Sequence, residues 1–174
     1  MKRFYVVLGF IISLFALCVN FSIASQNQDV SNFIKYSPSM KDIVSGKEIN
    51  LKDYLNKVMV LEFFETWCPA CVKAIPELNK FYSNIQSDQK LKDNVVFYSI
   101  LSSSSGDEKS IKDFIKSRGI KYPVLFETKP QLSYNLGVKF IPTLFIIKEG
   151  KVVYSKVGSE KADVLTKNLL NFVK

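Results

Sequence analysis

The stretch that limits the fold most is V-M-V-L-E-F-F, residues 58 to 64, which is apolar at six of seven positions and rich in β-branched and aromatic side chains. It is too short for a stable helix and reads as a buried strand. T-W-C-P-A-C follows within two residues. From Pro69 the apolar residues Val72, Ile75, Leu78, Tyr82 and Ile85 fall three or four apart, the period of a helix. Pro76 lies inside that helix and is expected to kink it. A buried strand that runs straight into an amphipathic helix points to an α/β architecture, not to an all-helical or all-β one.

The remaining segments agree. Ser45-Gly46-Lys47 marks a turn, and Val95 to Leu101 reads as a second buried strand. The serine run Ser102 to Ser105 reads as a solvated loop. Ser105 followed three residues later by Glu108 has the spacing of a capping box, opening a helix that Gly119 ends. A short strand is expected over Tyr122 to Phe126 and a helical turn over Leu132 to Leu136. Two strands, Thr143 to Lys148 and Lys151 to Val157, flank a hairpin signal at Glu149-Gly150. Ser159 is positioned to cap a last helix whose stripe is Ala162, Leu165, Leu169 and Phe172. The expected fold is one α/β domain, a mixed central sheet flanked by helices on both faces.

The N-terminal segment opens with Lys2 and Arg3, turns apolar from Phe4 to Ile23, and then offers small residues at Ala24 and Ser25. Residues 1–24 read as a signal peptide or an N-terminal membrane anchor, with 4–23 just long enough to tether the chain to a bilayer. A lipid-modified Cys18 is a third reading, disfavoured by the large Leu17 before it and the apolar residues after it. In each case the bulk of the chain is expected to be exported, to the periplasm or the outer side of the membrane. Residues 25–36 are polar and mixed and read as a tether, leaving 37–174 as the folded domain. The net charge of +8 falls to +6 without Lys2 and Arg3, and only Arg3 and Arg118 are arginines. Dispersed lysines without Arg forks or stacked basic runs speak against nucleic-acid recognition.

Removing the leader would leave Cys68 and Cys71 as the only cysteines. Such a pair closes a tiny loop and restricts the unfolded chain very little, so its use is chemical and not structural. Zinc or copper would want about four ligands. With no histidine and no second cysteine pair, no metal site is expected. At the first turn of a helix the unpaired N–H groups and the dipole favour the thiolate of Cys68. Pro69 suits that first position, where its missing N–H costs nothing. Cys71, one turn deeper, is the shielded partner that would resolve a mixed disulfide.

W-C-P-A-C after L-E-F-F resembles the thioredoxin superfamily, and the likeness extends over about residues 40 to 174. F-I-P-T-L-F at 140 to 145 resembles the segment carrying that family's cis-proline. The resemblance therefore implies that Pro142 is cis and faces the cysteines. It also implies that the backbone at Ile141 pairs with a client chain as an added strand. G-K-E-I-N-L-K-D-Y-L-N-K-V, the Ser/Gly loop and Y-P-V-L-F most resemble the exported TlpA/ResA branch of thiol–disulfide oxidoreductases. On spacing alone, Glu62 is open between a solvent-facing residue at a strand edge and a buried base. The family keeps a buried acid six residues before its first cysteine, which implies that Glu62 exchanges a proton with Cys71, its pKa raised by burial. Glu65 is expected at the surface. Trp67 and Pro69 would border the client, although simple packing accounts nearly as well for Trp67.

In one respect the chain departs from the pattern. Branch members serving cytochrome c maturation often carry Glu three residues after the second cysteine, where this chain has Ala74. The resemblance implies no cofactor beyond the Cys68–Cys71 disulfide, disulfide-containing client proteins as substrates, and a membrane electron donor of the DsbD or CcdA type. Pro69-Ala70 offers no side-chain donor between the cysteines, which favours a reductant or exchanger over a DsbA-like oxidase. A thiol peroxidase would want Thr where Glu65 stands. A redox-inert binding module would have no need of Cys68, Cys71, Glu62 and Pro142 together.

Overall fold

The computed structural model describes residues 27–173. The leader and its alternatives, cleaved, retained or lipidated at Cys18, lie outside the described residues. In chain order the elements are α1 (Ser31–Tyr36), β1 (Met40–Asp42), β2 (Glu48–Ile49), β3 (Val58–Phe63), α2 (Pro69–Ser87), α3 (Gln89–Asn94) and β4 (Val95–Ser102). They continue with α4 (Glu108–Arg118), β5 (Val124–Glu127), α5 (Gln131–Asn135), β6 (Thr143–Lys148), β7 (Lys151–Val157) and α6 (Ala162–Leu170). Short 3-10 turns occupy Leu51–Tyr54 and Ser103–Ser105.

The strands form one sheet in the order β2-β1-β5-β4-β3-β6-β7. β3, β4 and β5 run parallel, whereas β6 lies antiparallel to β3, and β7 to β6. Every residue of β3 is buried, as a central strand covered on both faces requires. Alternation splits its side chains between two cores. Val58 and Val60 join residues of α2, α4 and α6, while Met59, Leu61 and Phe63 join α1 and α5. The expected α/β sandwich with a mixed central sheet is therefore the observed one. By the same alternation Glu62 faces the α2 side, the side of the cysteines.

Three local expectations are corrected. Residues 27–36 are part of the fold. The amide of Asn27 donates to Val152 O at 2.9 Å, Val30 N donates to Gly150 O at 2.7 Å, and Val30 and Ile34 are fully buried. The polarity of the segment belongs only to its outer side. Gly150, at φ 72° in the β6–β7 turn, passes so close to α1 that a Cβ there would lie 2.5 Å from Ser31 Cβ. The cap of α4 is Asp107, whose carboxylate accepts from Ser110 N at 2.8 Å; Ser105 has other partners. The cap of α6 comes from another helix: Glu77 Oε2 accepts from Ala162 N at 2.8 Å, and Ser159 makes no cap.

Candidate active site

Where β3 ends, Phe64 N still bonds to Ile100 O at 3.1 Å, and the chain then turns sharply through Glu65-Thr66-Trp67. Cys68 is the N-cap of α2, with Pro69 at the first helical position. Its sulfur accepts from Cys71 N at 3.2 Å, taking up one of the amides that a helix start leaves unpaired. Cys68 and Cys71 are joined in a disulfide. After reduction that same N–H and the helix dipole favour negative charge on the Cys68 sulfur.

Both cysteines are buried, but they face different surroundings. Cys68 borders an open groove of about 580 Å³ whose rim includes Trp67, Pro69, Phe140 and Ile141; Cys71 does not border it. Trp67 and Phe140 are largely exposed, at 62% and 60%. Cys68 Sγ lies 3.8 Å from the carbonyl oxygen of Ile141. The Ile141–Pro142 bond is cis. Pro142 itself borders a second, narrow cavity of about 10 Å³, shared with Glu62, Ala74, Gly158 and Ser159. Trp67, Cys68, Pro69 and Ile141 thus meet at one groove, and Glu62 and Pro142 meet at the second cavity, beside Ala74, one turn beyond Cys71.

Glu62 is 2% exposed. Its Oε2 accepts from Ser99 Oγ at 2.6 Å, and its Oε1 has no hydrogen-bond partner among the described residues. Burial pushes its pKa up from 4.5 to about 8, and the Ser99 hydrogen bond opposes part of that rise. Ser99 is the register partner of Glu62 on β4. The Tyr122 phenol is pushed up as well, first by burial and then by the charge of Glu62. The solvent-facing reading of Glu62 is excluded.

The Redoxin family model matches residues 27–171. The chain belongs to the redoxin family. This redoxin is 33% identical over 123 residues to the thiol-disulfide oxidoreductase ResA of Bacillus anthracis, an alignment covering 70% of this chain and 67% of that protein. Against ResA of Bacillus subtilis the identity is 30% over 152 residues, covering 86% and 76%. The crystal structure of StoA from Bacillus subtilis superposes with a TM-score of 0.64 at 27% identity, covering 74% of this redoxin and 92% of that chain. These likenesses make it a ResA-like member of the thioredoxin superfamily. The match begins at residue 27, in keeping with a domain that includes the segment read as a tether.

Sequence reasoning missed several residues of this redoxin's site. Ser99 carried a signal only through β3–β4 register, which a single strand does not reveal. Phe140 sits two residues before Pro142 and could have been found from the F-I-P-T-L-F segment. Glu127 is buried, and its carboxylate accepts the N–H of Leu132 at 2.5 Å, fixing the segment that forms the far wall of the groove. Glu65 is a correction: it is half-buried and bonded to the serine turn, not free at the surface. That turn packs on the motif and is not a solvated linker.

Proposed function

We propose that this redoxin reduces or exchanges disulfides in exported client proteins through Cys68 and Cys71. The observation that carries the reading is the asymmetry of the pair. Cys68 Sγ lies at the groove with a helix-start amide donating to it, and Cys71 is shielded behind it. In the reduced protein the Cys68 thiolate attacks one client sulfur. A mixed disulfide forms, and the other client sulfur leaves as a thiolate that takes a proton from water. Cys71 then gives its proton to the Glu62 carboxylate and attacks Cys68 Sγ, releasing the second client thiolate. Two electrons pass from the redoxin to the client, and no further cofactor enters. With a pKa of about 8, a minority of Glu62 is ionised at neutral pH and can accept that proton.

Ile141 is assigned the backbone contact to the client strand and Pro142 the geometry that presents it, with Trp67 and Pro69 bordering the client. Export through the 1–24 leader, and resupply of electrons by a membrane donor of the DsbD or CcdA type, complete the proposal. The test is Cys71→Ser, which stops the cycle at the mixed disulfide. Reduced variant protein incubated with a disulfide client such as insulin should accumulate covalent adducts that dithiothreitol releases, with turnover down at least about a hundredfold. Adducts carried on Cys71 in a Cys68→Ser variant instead would overturn the roles. A reduction potential near the about −120 mV of DsbA would reverse the direction.

A further inference from the structure

Glu65 stands three residues before Cys68 on the rim of the groove that Cys68 borders. Its position is determined by the turn that follows β4. Glu65 Oε1 accepts from Ser102 N at 3.2 Å and from Ser102 Oγ at 2.6 Å, and Oε2 accepts from Ser105 Oγ. The same Ser105 Oγ accepts from Thr66 N at 2.9 Å, and Thr66 Oγ1 donates to Ser105 O at 2.9 Å. Cys68 N in turn bonds to Glu65 O at 3.2 Å. The carboxylate is therefore a fixed charge, hydrogen-bonded on both oxygens and connected by backbone to the N-cap sulfur.

Among the described residues, only two other charged residues border the groove. Glu127 is buried with its carboxylate accepting a backbone amide of α5, and Lys139 is exposed. The rest of the rim is mainly apolar, with Trp67 and Phe140 open to solvent. Inside such a groove a held charge is less screened than one on a mobile surface side chain. The overall charge of the chain is positive and would by itself draw anions in. Glu65 opposes that at the place where the disulfide must sit.

We propose that Glu65, clamped by Ser102 and Ser105, selects clients by charge: it disfavours disulfides flanked by acidic groups and favours those flanked by neutral, apolar or basic ones. This rests on the disulfide-exchange reading above. Glu65 acts on the client through its field and on Cys68 through the loop geometry, and it is a positioning residue, not a catalytic one.

The test is a charge ladder of small disulfides given to the reduced full-length protein: anionic oxidised glutathione, neutral 2-hydroxyethyl disulfide and cationic cystamine. The readout is the ratio of second-order rate constants, cystamine over glutathione disulfide. Glu65→Gln should lower that ratio about three- to tenfold, and added salt should shrink the difference. Asp93→Asn, a remote exposed carboxylate on α3, controls for net charge and should leave the ratio in place. Ser105→Ala keeps the charge and releases Oε2 while Ser102 still holds Oε1, and should move the ratio partway toward that of Glu65→Gln. A ratio unchanged within twofold in Glu65→Gln, while all three probes still react, would overturn this proposal and leave the exchange activity standing. No reaction of the wild-type protein with any probe would overturn both. A wild-type ratio in Ser105→Ala would overturn the part assigned to Ser105 in the clamp.

Discussion

Replacing Glu62 with Gln removes one ionisable group from the interior and leaves a neutral side chain of nearly the same shape. Folded, the carboxyl titrates near 8; in the unfolded chain it returns to its ordinary 4.5. The native state therefore binds the extra proton, and stability must fall as pH rises between those values. At about 1.4 kcal/mol per tenfold change, the span corresponds to about 5 kcal/mol, fully retained below pH 4.5 and gone by pH 8. Gln has no such dependence. The amide can still accept from Ser99 Oγ, which donates 2.6 Å to Oε2 in the native protein. Urea unfolding of the oxidised wild type and of Glu62→Gln at pH 5, 6, 7 and 8 measures the difference directly. Contributions from Glu127 and other groups common to both proteins cancel. The variant should gain on the wild type by about 1.4 kcal/mol for each pH unit from pH 5 to 7, and by less between pH 7 and 8 as the native carboxyl begins to ionise. Two curves that stay parallel from pH 5 to 8 would refute the raised pKa of Glu62 and, with it, the match that lets the carboxyl exchange a proton with the Cys71 thiol.

Other expectations follow from packing and capping. Ile34→Ala should destabilise the folded protein by about 2–4 kcal/mol, because Ile34 is the fully buried residue of α1; a side chain on a free tether would cost nothing in the same urea titration. Glu77→Ala should cost about 1 kcal/mol by leaving Ala162 N without its acceptor, and hydrogen exchange at the start of α6 should quicken while the centre of β3 stays protected.

The buried strand 58–64, the helix that begins at Pro69 and the β6–β7 hairpin were legible in the chain because each announces itself by local pattern. Six apolar residues in seven, a 3.6-residue period and a Glu-Gly turn are properties of neighbours in sequence. The catalytic pair was legible for the same reason, since a helix start acts on residues within one turn of it. The polar outer residues of 27–36 concealed Val30 and Ile34, whose burial depends on the β6–β7 turn more than a hundred residues away. Ser105 and Ser159 looked like caps because the tempting spacing was present. Asp107 caps through the same local three-residue spacing, two positions later, whereas Glu77 took its role through long-range geometry that spacing does not encode.

The sequence by itself determined that a cysteine pair follows a buried strand at a helix start, and that a carboxyl group stands six residues earlier. Only the tertiary structure decided what that carboxyl does. A lone strand leaves Glu62 free to face water, and it is the parallel pairing with β4 and the cover of α2 that take it out of water and raise its pKa, with the hydroxyl of Ser99 offsetting part of the rise. Likewise Glu65 became a fixed charge only when the turn after β4 folded back onto it. Local pattern specifies which groups are present, but desolvation and long-range hydrogen bonds arise only from chain segments distant in sequence.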